Sequence, residues 1–195
     1  MATIHTLPLG AYQTNTYIVV GEENRCIVID PGYDAPTILA KTAALGLSIY
    51  AILLTHGHFD HVGAVRELAE ETGCSVYLHP EELSLPPMMT AGPLYYTHTY
   101  AGGDEIRLCG LKIGVLHTPG HTPGSVCLTV ENDMFSGDTL FAGSCGRTDF
   151  PGSDYAAMFR SLRLLKQLEK NYTVYPGHGE STTLAAEKLY NPYMQ

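Results

Sequence analysis

Apolar and polar positions along the chain alternate between two patterns. Unbroken apolar runs at 16–20 (TYIVV), 25–30 (RCIVID) and 48–56 (SIYAILLTH) read as strands buried on both faces, the first two joined by a turn over 21–24. Residues 35–45 are rich in Ala and Leu, follow Asp34 and stop at Gly46, which predicts a helix carrying both its start and its stop signal. A second helix is expected over 62–72, closing at Gly73, with Val65, Leu68 and Ala69 on one face. A short strand follows near 75–79. The stretch 84–103 gathers Pro, Gly, Met and Tyr and reads as a long loop, suited to covering a pocket. Strands are expected at 105–108, 111–117, 125–130 and 133–136. Apolar Met158, Phe159, Leu162, Leu165 and Leu168 recur at helical spacing within 153–170. A strand at 172–175 and a helix near 182–190 complete the pattern. Strands and helices are mixed, with a run of strands in each half, so a layered α/β fold is expected rather than simple alternation.

Composition narrows the function classes. The chain has 195 residues, 45% apolar and 16% charged, which suits one globular domain over 1–195. Eleven basic against twenty acidic residues give a net charge of −9 with no basic cluster, so nucleic acid is not an expected partner. The apolar runs fall far short of the roughly 20 residues of a membrane span. The start, MATIHTLPLG, lacks the basic-then-apolar order of a secretory signal. Cys26, Cys74, Cys109, Cys127 and Cys145 are odd in number, widely spaced and form no CxxC, so reduced thiols and a cytoplasmic location are expected. Oligomeric state is left open.

Histidine is the unusual residue. His56, His58 and His61 fall within six positions in HGHFDH, where nine His in 195 residues give about 0.3 by chance. The cluster follows a buried strand, where α/β sites form. Later, His121 sits in TPGHTPG, Asp138 in SGDTL and His178 in YPGHG, each after an apolar strand among Gly or Pro. Imidazole nitrogen and carboxylate oxygen are the donors a borderline metal such as zinc prefers. His5, His79 and His98 read as polar turn residues, and His117 as a packing or supporting group.

HGHFDH, TPGHTPGS, GDTLF and PGHG match the metallo-β-lactamase superfamily in order and spacing, and the chain resembles it from about residue 15 to 180. The resemblance implies a four-layer αββα sandwich with a metal site at one edge between the sheets. It implies His56, His58 and His121 as ligands of one metal, Asp60, His61 and His178 as ligands of a second, and Asp138 as the bridging carboxylate. Within the superfamily the set looks most like glyoxalase II, the hydroxyacylglutathione hydrolases, in a short form. Asp138 and the missing leader separate it from the true β-lactamases. Only seventeen residues follow His178, so no separate C-terminal substrate domain is expected.

The implied activity is a metal-dependent thioesterase acting on S-acylglutathione or a similar thioester or ester. Its cofactors would be two divalent ions, zinc first, with iron or manganese as alternatives. Asp60 would orient a hydroxide held between them. Arg147 matches the basic residue that helps bind the glutathione carboxylate, and Cys145, Tyr95 and Tyr96 are further candidate substrate contacts. Two divalent ions and one hydroxide would add a net charge of about +3 at the site, which suits an anionic small molecule. The CGRTDF string also resembles the persulfide dioxygenases, which use one iron, and His56, His121 and Asp138 would provide such a facial set. Hydrolysis of another ester or a lactone is a further alternative. A metal-stabilised scaffold without turnover is disfavoured, since a closed structural site needs only four ligands.

Overall fold

Side chains on successive strand positions point to opposite faces, so a run of apolar residues must find a partner on each side. The computed structural model, which describes residues 2–195, shows how both sides are met. The first sheet contains β1 (Ile4–Leu9), β2 (Thr14–Val20), β3 (Arg25–Ile29), β4 (Ser48–Leu53), β5 (Ser75–Leu78) and β6 (His98–Thr99), paired in that order. Along β2–β4, Tyr17, Val19, Ile27, Ile29, Ala51 and Leu53 join one core cluster, while the alternating Ile18, Cys26, Val28 and Ile52 join another.

The second sheet is built from β7 (Glu105–Leu108), β8 (Leu111–His117), β9 (Val126–Val130) and β10 (Asp133–Gly137). A small two-stranded ribbon follows, β11 (Leu140–Phe141) with β12 (Ser144–Cys145). Then β13 (Thr173–Pro176) and β14 (Thr182–Thr183) complete the second sheet, whose spatial order is β14-β13-β10-β9-β8-β7. Ile113, Val115, Leu128 and Phe135 face the first sheet and share its inner core.

Helices cover the outer faces. α1 (Ala35–Ala44) and α3 (Val65–Thr72) pack Ile38, Val65, Leu68 and Ala69 on the first sheet, with the short α2 (Phe59–Val62) just before α3. α4 (Pro87–Thr90) is a single turn. α5 (Tyr155–Gln167) and α6 (Leu184–Tyr190) pack Met158, Leu162, Leu165 and Leu184 on the second sheet. The layers therefore run helix, sheet, sheet, helix: the expected αββα sandwich. Parallel pairing of β3 with β4, β4 with β5, and β10 with β13 requires crossovers, which α1, α3 and α5 provide. Among the described residues no helix is long and apolar enough to cross a membrane.

Local signals set the helix ends. Asp34 accepts from the Thr37 amide at 3.1 Å and Asp154 from the Ala157 amide at 2.9 Å, each satisfying an orphan donor of a first turn.

Four expectations need correction. The stretch 84–103 is not one loop: it holds α4 and β6, and β6 pairs with β5, its outward His98 and Thr99 leaving no apolar signal. The strand over 48–56 ends at Leu53, because the chain turns to deliver His56. The last helix begins at Leu184, after Thr182 and Thr183 have paired with β13. Phe159 shares the helical spacing of its neighbours but is 41% exposed and packs its ring, tilted, against Tyr155 at 5.2 Å, off the core stripe. The edge strand β1 carries no sequence signal of its own, since IHTLPL contains a Pro and alternates only weakly.

Phe135 has no exposed surface and packs against Tyr17, tilted, and Tyr175, stacked, with ring centroids 5.2 and 5.4 Å away. Phe135→Ala is expected to cost about 3–5 kcal/mol, read as a lower urea midpoint. Phe159→Ala should change stability by less than about 1 kcal/mol in the same measurement.

Candidate metal centre

Every ligand-type residue of the four motifs follows a strand end, and the strand ends meet at one edge of the sandwich. His56 and His58 leave β4, and His58 stands just before α2, which carries Asp60 and His61. His121 lies in the turn between β8 and β9, Asp138 directly after β10, and His178 after β13. The two sheets face each other, so these turns converge although 122 positions separate the first from the last.

Two groups result. In one, the rings of His56, His58 and His121 lie 4.5–5.0 Å apart. In the other, His178 Nε2 lies 3.3 Å from Asp60 Oδ2 and 3.4 Å from His61 Nε2. Asp138 stands between them, with Oδ2 3.5 Å from His121 Nε2 and Oδ1 3.4 Å from His61 Nε2. Each group offers donor atoms within 4.8 Å of one another, close enough to share a metal ion.

Buried side-chain polar atoms are normally paired, and an exception calls for an explanation. Among the described residues the buried side-chain atoms without a hydrogen bond are His56 Nε2, His58 Nε2, His121 Nε2 and Asp138 Oδ1. All four belong to the constellation. Three imidazole lone pairs left bare within 4.8 Å of one another form a donor set that a divalent ion satisfies, and Asp138 Oδ1, beside His61, lies at the second group.

Protonation fits this arrangement. Burial, then the neighbouring His61, His58 and His121, hold His56 well below its ordinary value. Burial and His121 push His58 down to about 3, so both rings are neutral at pH 7 and offer lone pairs. Burial would raise Asp138, but His61, His121 and His178 beside it hold it far below the usual carboxylate range. His61 moves the other way, because Asp138 and Asp30 outweigh its burial.

The other ring nitrogens are fixed from behind. His121 Nδ1 donates to the Arg147 carbonyl at 2.8 Å and His178 Nδ1 to the Tyr12 carbonyl at 3.1 Å, which aims both Nε2 atoms inward. His61 Nδ1 bonds Asp30 Oδ2 at 3.0 Å. Asp30 also accepts from the Thr55 amide at 2.7 Å and the Thr55 hydroxyl at 2.5 Å, so one buried carboxylate joins the residue before the HGHFDH turn to the His61 at its end. Asn15 donates to the Pro176 and Gly179 carbonyls at 3.0 and 2.9 Å and holds the His178 turn. Sequence reading missed Asp30 and Asn15. Asp30 left a trace, as an acidic residue ending an apolar run before Pro31-Gly32, whereas Asn15 left none.

A cavity of about 580 Å³ opens over the constellation, walled by Tyr12, Phe59, Met89, Phe141, Cys145 and Phe150. Cys145 is half-buried there, and burial raises its thiol. Arg147 lies on the rim, bonded bidentately to Asp149 at 2.7 and 2.8 Å, with its guanidinium 3.9 Å over the Phe150 ring. Tyr95 and Tyr96 are not brought to this cavity. Tyr95 packs on the outer core of the first sheet with the Arg66 guanidinium 4.8 Å over its ring, and Tyr96 is an exposed side chain. From the 84–103 stretch it is Met89 that reaches the wall.

A second histidine group, His79 with His117 and Glu81, lies apart from the constellation. Its rings stack at 4.2 Å. His79 Nδ1 already accepts from the Glu81 amide, and His117 Nε2 faces the Pro123 carbonyl at 2.9 Å. Turn-capping and packing account for both, in line with the sequence reading.

Known proteins resemble this chain over nearly its full length. The Metallo-beta-lactamase superfamily profile matches residues 9–178. Hydroxyacylglutathione hydrolase GloC of Haemophilus influenzae is 34% identical, over 98% of this chain and 97% of its own. The crystal structure of BLEG-1 B3 metallo-beta-lactamase superposes with a TM-score of 0.90 at 34% identity, covering 99% of this chain and 100% of that one. The crystal structure of TTHA1623 in a di-iron-bound form gives a TM-score of 0.85 at 41% identity, covering 97% of this chain and 99% of the other.

Asp30→Ala strips the Thr55 amide and His61 Nδ1 of their buried partner. It should cost about 3–5 kcal/mol in metal-free protein, measured by denaturant unfolding with chelator present.

Proposed function

The chain belongs to the metallo-β-lactamase superfamily, and from that premise we propose that it is a metal-dependent hydrolase of thioesters of the S-acylglutathione type. The observation that carries the metal dependence is the set of four buried, unpaired donor atoms. The acyl-glutathione substrate class draws on GloC, a hydroxyacylglutathione hydrolase that this chain matches across 97% of its length.

In this reading His56, His58 and His121 would hold one divalent ion, Asp60, His61 and His178 would hold the other, and Asp138, which lies between the two groups, would serve both. Zinc suits the imidazole-rich set, and the di-iron form of TTHA1623 keeps iron, with manganese, as an alternative. When bound, the ions supply Lewis acidity, polarising a carbonyl and lowering the pKa of a water from about 16 to roughly 7.

The protein's own groups do the rest. Asp60 is fixed through Oδ2 by the Thr14 hydroxyl at 3.2 Å and by His178, and its carboxylate borders the cavity. It orients the attacking water by accepting a hydrogen bond from it. In the metal-free protein His61 and His178, turned toward Asp60 and Asp138, keep those carboxylates ionised and so ready to receive a cation. Phe59, Phe141 and Phe150 exclude bulk water and give the acyl group an apolar wall. Arg147 exchanges Asp149 for a carboxylate of the substrate, an exposed pair that costs little to open. The leaving thiolate is stable near neutral pH, so no strong general acid is required.

A second reading, β-lactam opening, is favoured by the likeness to BLEG-1 and needs the same polarised carbonyl.

The test is a substrate panel with metal quantification. Its members are S-lactoylglutathione, a β-lactam, a lactone and a phosphodiester, with oxygen uptake on glutathione persulfide followed in parallel. Expected is thioester hydrolysis that chelation abolishes and zinc restores, with up to two ions per chain. Oxygen consumption without thioester turnover, or no metal bound, overturns the proposal. Asp60→Ala should lower kcat/KM for the thioester at least about 100-fold with KM little changed. Arg147→Ala should raise KM about tenfold and leave kcat near the parent value.

A further inference from the structure

Glu82 has no exposed surface and lies in the 3₁₀ turn Pro80–Ser84, outside every motif of the constellation. Its Oε2 accepts from the Gly57 amide at 2.5 Å. Its Oε1 accepts from the Thr122 hydroxyl and from the Gly124 amide, each at 2.6 Å. Gly57 stands between His56 and His58, and Thr122 follows His121. One carboxylate thus ties together the two turns that carry the three unpaired imidazoles.

The glycines belong to this contact. A Cβ on Gly57 would come within 3.0 Å of Glu82 Oε2, and one on Gly124 within 2.8 Å of Oε1. Bare backbone on both turns lets the amides close on the acid. Among the described residues no ion pair reaches Glu82, and burial pushes its carboxyl up to about 7. A buried acid without a cation is costly, and three short donors are what offsets that cost here.

We propose that Glu82 is a positioning residue which latches the His56–His58 turn to the His121 turn and so sets the affinity of that triad for its metal. The inference rests on the metal-binding reading above. It gives a selective expectation, because the other group is held differently: His61 by Asp30, Asp60 by Thr14, and the His178 turn by Asn15. A loosened latch therefore weakens one ion and spares the other, which general destabilisation would not do.

The test is zinc binding by chelator competition on Glu82→Gln and Thr122→Val, together with amide hydrogen exchange in the metal-free proteins. Gln keeps the shape but sets an N–H against one of the backbone amides; Val removes one donor. Expected for Glu82→Gln is a loss of about 10–100-fold in one of two binding steps, with the other within about twofold. Thr122→Val should show a smaller loss in the same step. Gly57 and Gly124 amides should exchange faster in Glu82→Gln, with the sheets unchanged. Two unaltered binding steps, or equal weakening of both with faster exchange throughout the sheets, overturn the latch. If Glu82→Gln does not fold, Thr122→Val decides by the same two criteria. Absence of zinc binding by the parent protein overturns the functional reading as well, which separates the two failures.

Discussion

Five imidazoles and two carboxylates crowded at one sandwich edge impose the constraint on which the rest of the structure depends. Buried polar atoms without partners are costly, and three of these imidazoles each turn a bare Nε2 to the same place. The chain does not relieve that cost by rotating the rings outward. It fixes three of the five rings from behind: His121 by the Arg147 carbonyl, His178 by the Tyr12 carbonyl and His61 by the Asp30 carboxylate. The sandwich can carry this because its core lies elsewhere, in one apolar layer between the sheets and one under each helical face.

Burial also sorts the protonation states. Rings that face mainly other rings, such as His56 and His58, stay neutral and offer lone pairs. Rings that face carboxylates, such as His61 and His178, are pulled the other way. Asp138 touches both groups, so its charge is shared between them.

Much of this was legible in the sequence. The layers were visible because β2, β3 and β4 are buried on both faces and read as unbroken apolar runs. The seven ligand-type residues were visible because each sits in a short Gly- or Pro-bounded turn after such a run, and the structure gathers all seven. Legibility ended where partners are remote. Glu82 looks like any acid in a polar stretch until Gly57 and Gly124 close on it, and Asn15 like any strand residue until the His178 turn arrives. The tyrosines of the 84–103 stretch show the opposite error. Composition suggested a wall of the pocket, but Arg66 takes Tyr95 on the far face and only Met89 reaches the cavity.

The central claim is that the bare Nε2 atoms of His56, His58 and His121 are metal ligands. Long-range proton–nitrogen NMR of the histidine rings during zinc titration tests it most directly. The account predicts that these three Nε2 resonances move to the metal-bound range as zinc is added, while Nδ1 of His121 keeps its proton toward the Arg147 carbonyl. Zinc binding that leaves those three resonances in place and shifts His79 or His117 instead would contradict it.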